Sequence, residues 1–152
     1  RNYANNAVFN SQFALGDQGW DTRGVRIVQR DGSNQAWIQG GGSIAQDVGH
    51  RISVKQKFEN HVRFTADSDR PVKLSIILGS ETQEVMVDGK GQYDLNFGSA
   101  EYRQVRFRAD GDVYLDNINV YNFVQDGQIY DLDGNELSCL AGVRELNRRL
   151  AE

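Results

Sequence analysis

Apolar and polar residues alternate with a period near two through most of this chain. Val62, Phe64 and Ala66 alternate with polar neighbours. So do Val72, Leu74 and Ile76; Tyr93, Leu95 and Phe97; and Val105 and Phe107. Ile52, Val54 and Phe58 continue the pattern, and the pairs Val85/Val87 and Val113/Leu115 extend it. Successive side chains of a strand point to opposite faces, so each run predicts a strand with one buried and one wet face. The pair Asp-Gly occurs five times, at Asp31-Gly32, Asp88-Gly89, Asp110-Gly111, Asp126-Gly127 and Asp133-Gly134. Both residue types tolerate the positive φ angles of two-residue hairpin turns, so these pairs predict chain reversals. Short strands separated by turn signals predict an all-β sandwich or barrel.

The tail has a different rhythm. Ile129 to Leu137 reads as a hairpin around Asp133-Gly134. Beyond it Leu140, Val143, Leu146 and Leu150 recur at helical spacing, with Ser138 or Asn135 as the N-cap and Arg144, Arg148 and Arg149 on other faces. A helix this short, with Gly142 inside it, is marginal alone and must dock. Its partner is either its own sandwich or a neighbouring subunit, and Leu140, Val143, Leu146 and Leu150 are the candidate protein-interface residues. Asp131-Leu-Asp133-Gly-Asn135-Glu136 lacks both the third ligand before its glycine and the closing glutamate of an EF-hand loop, so it reads as a turn. The expected organisation is an N-terminal arm over 1–8, a sandwich over 9–124 and a C-terminal hairpin and helix over 125–152.

Length and composition narrow the functions. The 152 residues suffice for one domain with a full core. A net charge of -4 gives no basic footprint, so neither nucleic acid nor a membrane is expected as partner. No apolar run approaches the roughly 20 residues of a spanning helix. The lone Cys139 cannot form an intramolecular disulfide and names no redox compartment. The chain opens on Arg1 rather than Met, as expected of a processed chain or a piece of a longer one. Enzyme chemistry lacks its residues. His50 and His61 are the only histidines, and no second His or Cys lies at metal-ligand spacing. There is no Gly-x-Ser-x-Gly elbow, and Gly40-Gly41-Gly42 lacks the Lys-Ser/Thr of a phosphate loop. With 21 acidic residues, a carboxylate pair at glycosidase distance would mean little. The chain is therefore read as a non-enzyme.

Four segments, in order, resemble a known family. Asn10-Ser-Gln-Phe13, Gly16 and Gly19-Trp20 resemble the opening of the jelly-roll carbohydrate-binding modules that accompany xylanases and glucanases. Ile44-Ala-Gln46-Asp-Val48 and Val62-Arg-Phe64-Thr-Ala66 resemble two inner strands of those modules, and Val113-Tyr-Leu-Asp116-Asn-Ile118-Asn-Val120 resembles their closing strand. The likeness spans about residues 9–122 and implies a jelly-roll β-sandwich, a fold also found in phage structural proteins. It further implies a structural calcium near Asp116. The carboxylate that many such modules carry after the first Phe is Ala14 here, so the expectation is no cofactor, with Asp116 the residue at which calcium would be sought.

Sugar sites pair flat aromatic faces with amides, which both donate and accept hydrogen bonds. Trp37 lies in Gln35-Ala-Trp37-Ile-Gln39 and is either a stacking platform or a core residue. Tyr114 opposes its apolar neighbours and should face outward, whereas Tyr93 and Trp20 read as core. Asn96 shares with Asp94 the wet side of its strand. The carbohydrate-binding candidates are thus Trp37, Gln35, Gln39, Tyr114 and Asn96. Arg106 and Arg108 read as a solvated strand face, or as a contact for an acidic partner. Two functions follow. One is a non-catalytic glycan-binding module. The other is a structural component of a larger assembly, such as a phage capsid-decoration or tail protein that binds neighbouring subunits and forms homo-oligomers. The matching locations are the extracellular space or a virion surface.

Overall fold

A computed structural model describes residues 7–48, 58–98 and 104–124. The predicted C-terminal hairpin and helix, Leu140, Val143, Leu146 and Leu150 with them, lie outside the described residues, as does the alternation at Ile52 and Val54. Eight strands follow in order: β1 (Asp21–Arg30), β2 (Ser33–Asp47), β3 (Phe58–Asp67), β4 (Val72–Leu78), β5 (Glu81–Val87), β6 (Gly91–Asn96), β7 (Gln104–Ala109) and β8 (Val113–Val124). They pair in the order β5-β4-β7-β2-β8-β3-β6, with β1 alongside β2, and every pairing is antiparallel.

The path folds into two layers because β2 turns a corner. Its first half, Ala36–Ile38, pairs with β8, and its second half, Ser43–Asp47, pairs with β7. The bend lies at Gly40–Gly42. Gly41 has a φ of 82°, a region L-residues rarely adopt. A Cβ on Gly42 would stand 2.6 Å from the Arg23 carbonyl oxygen, so the strands approach where only hydrogen fits. β1 bends beside it, with a register shift between Arg23 and Val25. One layer is then β6-β3-β8 with the first half of β2; the other is β5-β4-β7 with the second half. Their inner faces meet, and Phe64 of β3 packs edge-on against Phe107 of β7 at 5.2 Å. This is the sandwich that the alternation predicts, in the jelly-roll form that the resemblance implies.

The core is the inward half of each alternation. Val62, Phe64, Ala66, Leu74, Ile76, Val105, Phe107, Val113 and Leu115 are all fully buried. Tyr93 packs on this core and stacks on Phe64 at 5.2 Å, as its register with Leu95 and Phe97 predicts. On β7 Arg106 and Arg108 point the other way, and Arg106 bonds the Ser43 hydroxyl at 3.2 Å. Ala7 and Val8 already belong to the sandwich: the Ala7 N–H bonds the Val120 carbonyl at 2.9 Å, and Val8 is buried. The opening loop holds itself together. The Asn10 amide donates to the carbonyls of Gly16 and Gln18, and its oxygen accepts from the Leu15 N–H. Trp20 packs on buried Phe13 at 5.6 Å and donates its indole N–H to the Asn10 carbonyl, so it is structural.

Candidate functional site

Residues directly opposite one another in a ladder project from the same face. The register Arg26–Trp37–Tyr114–Asp67 therefore lays four side chains in one row across β1, β2, β8 and β3, on the outer face of the first layer. The flanking residues of β2 and β8, Ala36, Ile38, Val113 and Leu115, are fully buried on the inner side. Period two thus forces Trp37 and Tyr114 outward.

The rings of Trp37 and Tyr114 lie 6.0 Å apart at an interplanar angle of 21°, and both residues are half-buried. Trp37 is therefore a face residue, not a core one. Its indole N–H is buried and has no hydrogen-bond partner. A buried donor left unpaired costs about 1–3 kcal/mol. Tyr114 also borders a hollow of about 540 Å³, shared with Asp69, Arg70 and Asp112.

Arg30 closes over the Tyr114 ring. It ends β1, beside the Asp31-Gly32 turn, whose φ angles of 55° and 81° are those of a tight hairpin. Its guanidinium carbon sits 3.9 Å from the Tyr114 ring centroid. The same group reaches the Asp67 carboxylate at 3.0 Å and Asp69 at 3.6 Å. Such a planar cation over a tyrosine is attracted by the ring quadrupole.

The candidates read from the sequence separate into three groups. Trp37, Gln39 and Tyr114 come together on one face. Gln35 shares that face but is buried, with its amide bonded to the Arg30 carbonyl at 3.1 Å and the Ser33 hydroxyl at 3.3 Å. Asn96 lies on β6 and donates to Glu59 at 2.6 Å. Its neighbours form a separate network, in which Asp94 bonds His61 at 2.7 Å and the Tyr121 hydroxyl at 2.7 Å. Arg30, Asp67 and Asp69 were not legible as site residues. Counting back from the turn does put Arg30 on the face of Arg26, but the carboxylate that receives it sits on β3, a pairing no local pattern reveals.

One row further along β8, Asp116 opposes Thr65 and lines a second hollow of about 550 Å³. Burial raises its carboxyl above the ordinary aspartate value of 3.8. The Asn117 N–H at 2.8 Å, the Ser33 hydroxyl and the charge of Lys90 oppose that rise without cancelling it. A hard cation needs about six to eight oxygens, several of them charged. Around Asp116 the hollow mixes oxygens, from Asp31, Thr65, Gln12 and Gln29, with a cation. The Asn34 amide caps the Phe13 carbonyl at 2.9 Å, Gln35 caps that of Arg30, and Lys90 supplies an ammonium. Ala14 brings no oxygen from its side chain. Among the described residues no group of three or more His, Cys, Asp or Glu is placed to hold a metal. The Lys90 charge acting on Asp116 opposes a second cation there.

No family model matches the chain, and neither does any curated protein. Solved structures do. A family 61 carbohydrate-binding module in complex with β-1,4-galactotriose aligns over 79% of this chain and 100% of its own, with a TM-score of 0.61 and 14% identity. The C-terminal family 6 module of a marine laminarinase from Zobellia galactanivorans aligns over 70% of this chain and 95% of its own, with a TM-score of 0.56 and 11% identity. The chain has the jelly-roll fold of carbohydrate-binding modules. The enzymatically active domain of tailspike protein 4 of bacteriophage CBA120 shares it as well, over 78% of this chain but 21% of that one, with a TM-score of 0.58 and 14% identity. At such identities the likeness is one of fold, and jelly rolls host many activities.

Proposed function

We propose that this domain is a non-catalytic carbohydrate-binding module of the extracellular space, and that its ligand stacks on the Trp37–Tyr114 pair. One observation carries the reading. Two aromatic side chains, forced outward by strand register, lie with ring centroids 6.0 Å apart, and one of them, Tyr114, borders a hollow. The C–H faces of a pyranose pack on such rings, while Gln39, Arg26 and Asp67 line the same face to meet hydroxyls. Glycan arrays and affinity electrophoresis test it. Trp37→Ala should weaken binding at least tenfold, about 1.4 kcal/mol, as the loss of a tryptophan anchor does. Absence of signal across plant, algal and bacterial polysaccharides would refute the reading.

The tailspike alignment favours a second reading, in which the fold serves as one part of a larger assembly such as a capsid-decoration or tail protein. That reading expects homo-oligomers, or termini buried between subunits. Light scattering showing a strict monomer, together with protease-sensitive termini, would exclude it.

A further inference from the structure

Arg30 stands where a sugar ring would stack. Its guanidinium lies 3.9 Å from the Tyr114 ring centroid, which is contact distance for stacked carbon atoms. Guanidinium and pyranose cannot share that ring face. The arm is not a loose surface chain, for its side chain is only 26% exposed and it is held by Asp67 at 3.0 Å and Asp69 at 3.6 Å. Both anchors lie at the end of β3 or just beyond it, across the sheet from the hairpin that carries Arg30. The arm covers a residue of one hollow, and its chain neighbours Gln29 and Asp31 line a second. Tyr114 lines the first, while Asp116, two residues on along the same side of β8, lines the second together with Gln29, Ser33 and Gln35. Gln35 ties the two to the same latch, since its amide holds the Arg30 carbonyl.

We propose that Arg30 is a specificity-determining latch, which caps Tyr114, divides one long groove into two short ones and so sets the length of glycan the face accepts. This rests on the Trp37–Tyr114 platform being the glycan site. Latched, the face offers Trp37 alone and takes a single ring. A longer β-linked chain reaches Tyr114 and the second hollow only by displacing the guanidinium, and spends part of its binding energy doing so. The two anchors differ: Asp69 is 82% exposed on its side chain and hydrates readily, whereas Asp67, 18% exposed, is the firmer hold that a ligand must displace. Among the described residues neither Arg26 nor Arg70 has an ion pair or lies over a ring, so neither takes the place of Arg30 there.

Calorimetric titration of the full chain with galactose and β-1,4-galactotriose, and with a panel of β-linked hexasaccharides, tests the proposal. Arg30→Ala should tighten binding of the tri- and hexasaccharides about three- to tenfold and leave the monosaccharide unchanged. Arg30→Lys, which keeps the charge and loses the planar stack, should fall between. Weaker or unchanged oligosaccharide binding by Arg30→Ala would overturn the latch. The platform has its own control: if the wild-type chain binds and Trp37→Ala does not, an unresponsive Arg30→Ala sinks the latch alone. A ligand-free measurement covers the case in which the panel misses the ligand. Nitration by tetranitromethane, mapped by peptide mass, should modify Tyr114 several-fold faster in Arg30→Ala than in the wild-type chain, with Tyr121, 2% exposed, as the buried reference. Equal rates at Tyr114 would refute the cap. Circular dichroism establishes that each variant is folded before either measurement is read.

Discussion

Three consecutive glycines at the β2 corner should respond to alanine in three different ways. A methyl on Gly42 would meet the carbonyl oxygens of Arg23, Gln39 and Gly24 at 2.6, 2.8 and 2.9 Å. All three are backbone atoms, so no rotamer change relieves the clash. β1 must move off β2 where Arg23 opposes Ser43. Overpacking costs about 1–3 kcal/mol where side chains can yield, and a backbone-only clash belongs at the top of that range, about 3 kcal/mol. Gly41 has nothing within 4 Å of its missing Cβ, but its φ is 82°. Alanine there carries only conformational strain, roughly 1–2 kcal/mol. At Gly40 the nearest atoms would be 3.5 Å away, ordinary contact, and φ is not positive. Alanine there should be neutral, or stabilise by up to about 1 kcal/mol through the unfolded chain. For a domain of this size each kcal/mol moves the thermal midpoint by about 2–4 °C. Gly42→Ala should therefore lower it by about 6–12 °C, Gly41→Ala by about 2–8 °C, and Gly40→Ala not at all. Thermal and urea unfolding followed by circular dichroism measure this order. A Gly42→Ala midpoint equal to that of Gly40→Ala would show that the corner does not depend on close approach.

Two further outcomes concern Asp116, beside the tenfold loss expected of Trp37→Ala. Burial raises its folded-state pKa above the unfolded value near 3.8, so the folded protein favours the neutral acid. The contribution of this group is most favourable below that value and is lost as pH rises through the folded pKa. Asp116→Asn, neutral at every pH, should raise the urea midpoint at pH 7, and the gain should vanish near pH 3; a lower midpoint at pH 7 would contradict the burial argument. Millimolar calcium and EDTA should leave the thermal midpoint of the wild-type chain unchanged, because the Lys90 charge already acts on Asp116; a calcium-dependent rise of several degrees would contradict that account.

The fold was legible where a rule is local. Alternation marks β3, β4, β6 and β7, and it places Tyr93 inside and Tyr114 outside. The chain reversals were read less well. Asp31-Gly32 does close a two-residue hairpin, between Arg30 and Ser33. Asp88-Gly89 and Asp110-Gly111 do not, since β5 and β6 lie in different layers and β7 does not pair with β8. The tight β4–β5 hairpin turns instead on Gly79-Ser80, between Leu78 and Glu81. Asp-Gly marks where the chain can turn sharply, and tertiary pairing decides whether the strands on either side meet. The same division holds at the site. Trp37 and Tyr114 were legible as separate aromatic candidates from period two, but their adjacency is a β2–β8 pairing separated by most of the chain. Arg30 was invisible because its meaning comes from Asp67 and Tyr114 together. Asn96 looked available because its strand face is wet, yet Glu59 already holds its amide.

Because β2 contributes hydrogen bonds to both layers, neither layer can detach and leave the other intact. Opening is then all-or-none, and the platform residues report on the entire domain rather than on a local patch. A ligand that binds only the folded chain adds RT ln(1 + [L]/Kd) to the stability of everything at once, about 2.7 kcal/mol at a hundredfold excess over Kd. Melting in the presence of candidate sugars is consequently a sufficient first screen, free of any label and equally sensitive to a sugar in either hollow.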